Sequence, residues 1–143
     1  MLIIRPIQEK TAQEAFCRLC EVPYFEECLA YAAYVAGEFI GISQFSVSDD
    51  YGSIETLVTV PQKKDAEALF IMGRQTMNWI DLLGIHTCRI RRDAGPANVI
   101  RAMGFETLQE DGYLYVDMTG MFDGHCGGNC HVADMLREGE SND

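Results

Sequence analysis

The sequence is short of positive charge. It carries 11 lysines and arginines against 22 aspartates and glutamates, a formal net charge of −11. A surface of that sign repels nucleic acid and anionic membranes at long range, so neither is an expected partner. An anionic small ligand is not excluded, because basic residues can cluster locally. Arg89, Arg91, Arg92 and Arg101 lie close along the chain, and Lys63-Lys64 form a second group. Long apolar runs are also lacking, and none approaches the roughly 20 residues of a membrane span. The start, Met1-Leu2-Ile3-Ile4-Arg5-Pro6, has too short an apolar run and no cleavage site for a signal peptide. The cytoplasm is the expected location. Internal repeats and interdomain linkers are absent too.

What is present suits one domain. The 143 residues are 48% hydrophobic and 23% charged, enough to bury a core without covalent staples. The cysteines are Cys17, Cys20, Cys28, Cys88, Cys126 and Cys130. With no sign of export, reduced thiols are expected.

Leu2 to Pro6 reads as a strand. Thr11 and Glu14 form a capping box at the head of a helix. Ala12, Ala15, Phe16, Leu19 and Cys20 give that helix an apolar face at i, i+3, i+4, i+7, i+8 spacing. Cys17 and Cys20 fall on it, so their CxxC spacing reads as packing. Three strands follow: Ala30 to Ala36, Phe39 to Val47 and Ser53 to Val60. Their turns are Gly37-Glu38 and Asp49-Asp50-Tyr51-Gly52, which makes an antiparallel meander. Pro61 ends the third strand. Asp65 caps a long helix whose packed face is Leu69, Met72, Thr76, Trp79, Ile80 and Leu83, with Gly84 as its stop. Thr87 to Arg91 is a short strand. Pro96 opens a helix running to Met103. Phe105 to Gln109 and Tyr113 to Met118 form a last hairpin around Asp111-Gly112. The domain is expected over residues 1–118, with a tail over 119–143 that is glycine-, cysteine- and histidine-containing and then acidic.

This order of elements resembles the GNAT superfamily of acyl-CoA-dependent N-acyltransferases. The resemblance rests on Ile54-Glu55-Thr56-Leu57-Val58-Thr59-Val60-Pro61, the helix from Asp65 to Leu83, the strand Thr87 to Arg91, and Ala102-Met103-Gly104-Phe105. It implies an α/β (α+β) fold, with a mixed, mostly antiparallel sheet of about six to seven strands flanked by helices. It also implies a donor, acetyl-CoA or another acyl-CoA. The main chain of Val58, Thr59 and Val60 would hold the thioester end, because a strand edge can pair with the amides of a pantetheine arm. The stretch Lys63 to Ala68 would meet the pyrophosphate at a helix N-terminus, where free N–H groups and the helix dipole favour anions. Lys63, Lys64, Ala66 and Ala68 are the binding residues so implied. Glu55 is the candidate general base.

The sequence departs from the family pattern twice. Both glycine positions of the phosphate loop are alanine, Ala66 and Ala68, and Asp65 and Glu67 add negative charge there. The tyrosine that many members carry four residues before the Gly-Phe pair is Ile100, which cannot donate a proton. The frequent asparagine seven residues earlier is Asp93. His86, Tyr31 and Tyr34 read as surface or packing residues.

The tail carries His125-Cys126-Gly127-Gly128-Asn129-Cys130-His131. His125, Cys126, Cys130 and His131 are borderline-to-soft ligands that suit zinc or another thiophilic metal. A Cys126–Cys130 disulfide, a metal shared across a homodimer, and idle thiols are the other readings. Two functions follow. The first is an acyl-CoA-dependent N-acyltransferase, an acetyltransferase by preference, that attacks the thioester directly with a small-molecule or protein amine. The second is a non-catalytic GNAT-like ligand-binding or regulatory module with a metal- or redox-active tail.

Overall fold

The structure, a computed structural model, describes residues 1–123. The elements run β1 (Leu2–Pro6), α1 (Lys10–Leu19), β2 (Leu29–Val35), β3 (Glu38–Val47), β4 (Gly52–Thr59), α2 (Ala66–Leu82), β5 (Thr87–Arg91), α3 (Ala97–Ala102), β6 (Thr107–Leu108) and β7 (Tyr113–Asp117). They build a seven-stranded sheet in the order β1-β2-β3-β4-β5-β7-β6. Every neighbouring pair is antiparallel except β4–β5. A parallel pair needs a crossover, and α2 supplies it.

The two sheet faces bury different helices. On one, Leu69, Met72, Met77 and Ile80 of α2 and Val99 and Ile100 of α3 pack on Phe45, Ile54, Leu57 and Ile90. On the other, Cys17 and Cys20 of the α1 segment pack on Ala30 and Ile42. Burial pushes the Cys17 thiol up to about 11 and the Cys20 thiol up to about 12. Both stay protonated and inert at neutral pH, as expected of packing residues.

Three local details differ from the sequence reading. Helix α1 starts at Lys10 after Glu9, with no side-chain cap, so Thr11 lies inside the first turn and the Thr11–Glu14 capping box does not form. Its buried face is Gln13, Cys17 and Cys20, while Ala15 and Leu19 point outward. A polar side chain turns the face, because the Gln13 amide donates to Gln44 Oε1 on β3 at 2.9 Å. The β2–β3 turn falls at Ala36-Gly37, one residue earlier than expected, with φ of 53° and 80°. Two successive positive φ values make the turn whose twist matches the strands it joins. Leu83, read as part of the packed face of α2, caps that helix and is exposed.

Strand β4 is bent at a site-forming position. Phe45 pairs with Ile54 and Gln44 pairs with Thr56, so Glu55 is the extra residue of a β-bulge. A bulge increases the local twist and re-aims its side chain. Parallel pairing of β4 with β5 covers only Gly52 to Ile54 against Cys88 to Ile90. Beyond it, Leu57 N–H donates to Ala94 O at 2.8 Å, and then the two segments part.

Candidate active site

The parting of β4 and β5 leaves a cleft of about 680 Å³. Its walls are Val58, Thr59, Val60 and Pro61 at the end of β4, Lys64 to Ala66 and Leu69 at the start of α2, and Asp93, Gly95, Pro96 and Asn98 after β5. Gly95 sets the depth of the join. A Cβ placed there would lie 2.2 Å from Leu57 O, so only glycine lets the loop after β5 close on β4.

The β4 edge inside the cleft is available for pairing. Leu57 N–H points toward the β5 side, to Ala94 O, and Val60 N–H points the other way, to Ile40 O at 2.8 Å. Strand alternation therefore turns the Thr59 amide toward the cleft. An extended, amide-bearing ligand laid along this edge would continue the sheet.

At the opposite wall, α2 begins on its own side-chain cap. Asp65 Oδ1 accepts from Ala68 N–H at 2.9 Å. Ala66 and Ala68 are buried in the core cluster beneath the helix. Lys63 is paired with Glu38 on the surface.

A second constellation occupies the sheet face beside α1. Tyr113 of β7 donates its hydroxyl to Glu55, reaching both carboxylate oxygens, Oε2 at 2.8 Å and Oε1 closer still. Burial and then the Glu55 carboxylate push the Tyr113 hydroxyl up to about 12, so it remains a donor. Arg89 lies over the Tyr113 ring at 3.8 Å, donates from Nε to Ser53 Oγ at 2.9 Å, and approaches Asp111 at 3.6 Å. Tyr115 donates to Asp111 Oδ2 at 2.6 Å, and that bond holds the Asp111 carboxyl below its usual range. Arg91 donates to Glu55 O at 3.1 Å, lies 2.9 Å from Asp93 Oδ1, and covers the Phe25 ring at 5.2 Å.

The expected residues thus fall into separate places. Val58, Thr59, Val60, Lys64 and Ala66 line the cleft, whereas Lys63 and Ala68 do not. Glu55 sits on the bulge, half-buried, with Tyr113 as its partner. Ile100 is buried in the core. His86 is exposed and pairs with Asp81 at 2.6 Å, Tyr31 stacks on Phe45, and Tyr34 meets Phe16 and Phe39 edge-on. The sequence reading missed Tyr113 and Asn98. Tyr113 stands 58 residues from Glu55, and no local spacing signals a pair that only the sheet register assembles. His125, Cys126, Cys130 and His131 lie outside the described residues. Among the described residues no group of three or more His, Cys, Asp or Glu side chains could hold a metal.

No family model matches the sequence, and no curated protein matches it. Its backbone nevertheless has the fold of the GNAT N-acetyltransferases, the class expected from its order of elements. The ribosomal-protein-S18-alanine N-acetyltransferase of Escherichia coli superposes with a TM-score of 0.64 over 82% of this chain and 94% of that one, at 12% identity. The PaiA N-acetyltransferase of Thermoplasma acidophilum, solved with coenzyme A, gives 0.63 over 80% and 96%, at 11% identity. A GNAT-family acetyltransferase of Brucella melitensis, solved with acetyl-CoA, gives 0.62 over 82% and 88%, at 13% identity.

Proposed function

We propose that this protein is an acyl-CoA-dependent N-acyltransferase, most simply an acetyltransferase, acting on a small amine or an exposed protein amine. The observation that carries the reading is the open edge of β4. The strand that offers the Thr59 amide to the cleft also carries Glu55, whose carboxylate is held by Tyr113. The fold, and the coenzyme A and acetyl-CoA complexes of its structural neighbours, support the same choice of donor.

In this reading the Val58 to Val60 main chain aligns the pantetheine arm. A cleft-facing N–H on this edge polarises the acyl carbonyl and stabilises the oxyanion that forms when the amine attacks. Glu55 precedes Val58 by three residues, about 10 Å along a strand. It therefore takes the amine proton through a bridging water. Tyr113 holds the carboxylate in one orientation while this happens. Ile100 supplies no proton to the leaving thiolate, which takes one from water. A thiol of ordinary pKa, about 8.5, needs little help to leave.

The test is acyl transfer from acetyl-CoA to a panel of primary amines, followed by thiol release and by mass of the product. Glu55→Gln should lower kcat at least 100-fold, within the range for loss of a general base. Absence of both turnover and a thermal shift at millimolar acetyl-CoA would sink the reading. The buried Ile100 favours a second reading, a domain that binds the donor without turning it over. A clear thermal shift with no product on any amine would select it.

A further inference from the structure

We infer that this protein grips its acyl donor by the pantetheine arm and gains nothing from the nucleotide diphosphate, so that acyl-pantetheine thioesters serve it as well as acyl-CoA. The inference rests on the acyl-transfer reading above and concerns which part of the donor is recognised.

Coenzyme A has two chemically distinct halves. The pantetheine arm is uncharged and carries two amides. The nucleotide half carries a diphosphate and a further phosphate. The cleft treats these halves differently. Its β4 wall is a free strand edge with Val58, Val60 and Pro61 around the Thr59 amide, a match for an uncharged amide chain.

The α2 wall has the opposite character. A helix start binds a diphosphate by giving it free N–H groups in a region of positive potential. Here Asp65 Oδ1 already takes the Ala68 N–H, so the protein's own carboxylate occupies part of the place a phosphate oxygen would fill. Asp65 lines the cleft and Glu67 follows in the first turn; Asp93 also lines it, paired with Arg91 at 2.9 Å. Lys64 is the basic side chain among the lining residues, and Lys63 is turned away to Glu38. At this helix start the carboxylates of Asp65 and Glu67 face one basic side chain, Lys64, and like charges repel a diphosphate. The replacement of glycine by alanine is not itself the obstacle. Ala66 and Ala68 are 9% and 3% exposed and pack into the core, so their methyl groups present little surface to the cleft. The obstacle is the Asp65 carboxylate.

The experiment compares coenzyme A with pantetheine by calorimetric titration of the full chain under reducing conditions. A parallel assay compares kcat/KM for acetyl-CoA and acetyl-pantetheine. Both ratios should lie within tenfold. Asp65→Gly keeps an acceptable helix cap and frees the Ala68 N–H. It should tighten coenzyme A at least tenfold and leave pantetheine unchanged. Asp65→Asn, which keeps the cap and removes the charge, replaces it if the glycine variant fails to fold, and should move the ratio in the same direction. Coenzyme A binding more than tenfold tighter than pantetheine to the unaltered chain overturns the inference alone. So does an unchanged ratio in a folded Asp65 variant. No binding of either ligand at millimolar concentration overturns the acyl-transfer reading and this inference with it.

Discussion

Replacing Gln44 by leucine should cost this protein about 3–4 kcal/mol of stability, by removing four hydrogen bonds that no water or neighbour can restore together. The Gln44 side chain is fully buried on β3. Its Oε1 accepts from Gln13 Nε2 at 2.9 Å and from Phe25 N–H at 3.0 Å. Its Nε2 donates to Pro23 O at 2.9 Å and to Thr56 Oγ1 at 3.0 Å. One amide thus joins α1, β4 and the segment before β2. Leucine fills most of the volume but leaves those four groups without that partner. Gln13 retains a bond to Phe25 O at 3.2 Å, which limits its loss. Each of the remaining orphaned groups costs about 1–3 kcal/mol before relaxation. Relaxation of the segment around Pro23 and Phe25 brings the total down to the stated value. Urea unfolding at constant m-value measures it, and the melting temperature should fall by about 10–15 °C. Gln13→Ala should cost less, and the double variant should fall short of the sum by about 1 kcal/mol, because the two share a bond. A loss below about 1 kcal/mol for Gln44→Leu would refute the reasoning, since the buried amide would then contribute no net hydrogen bonding.

Four further outcomes are expected. Tyr113→Phe keeps the ring under Arg89 and removes the bond to Glu55. It should lower kcat about tenfold or more with little change in donor KM, and an unchanged kcat would remove Tyr113 from the site. Gly95→Ala forces a Cβ against Leu57 O at 2.2 Å. Opening the join should cost about 2–4 kcal/mol through overpacking and the lost Leu57–Ala94 bond, read as a drop in urea midpoint. Stability should fall on the alkaline side. Burial raises the thiols of Cys17, Cys20, Cys28 and Cys88 from 9.0 to about 11, 12, 12 and 12, so the folded chain holds protons that the unfolded chain releases above pH 9. The stabilisation is complete below pH 9 and is lost as pH rises toward 12; a melting temperature flat from pH 8 to 11 would contradict it. The same four thiols should resist a thiol reagent at pH 8 in the native protein and react once it is unfolded in urea.

Much of the fold was legible because it is written in short-range patterns. Asp65 accepting from Ala68 N–H, Gly84 with φ of 86° and Gly104 with φ of 110° are local stop and start signals, and all three fall where the sequence places them. The limits of β1 and β5 match the strands expected from the sequence residue for residue. Helix α1 was read one residue out of phase because its inward face includes a glutamine. Periodicity counts apolar residues, and it cannot know that Gln13 meets Gln44 across 31 positions. The tail motif lies outside the described residues.

The sequence by itself determined the element order, the helix between β4 and β5, the alanines and acidic residues at the start of that helix, and an isoleucine at position 100. These follow from residue type and spacing along one stretch of chain. The tertiary structure alone decided what those changes mean. It placed Glu55 on a bulge under the Tyr113 hydroxyl. It turned the Thr59 amide into the cleft, buried the methyl groups of Ala66 and Ala68, and put the Asp65 carboxylate in the cleft wall at the start of α2. The physical reason is that a hydrogen-bonded pair or a free strand edge belongs to two segments at once. It exists only after the sheet register has brought them together.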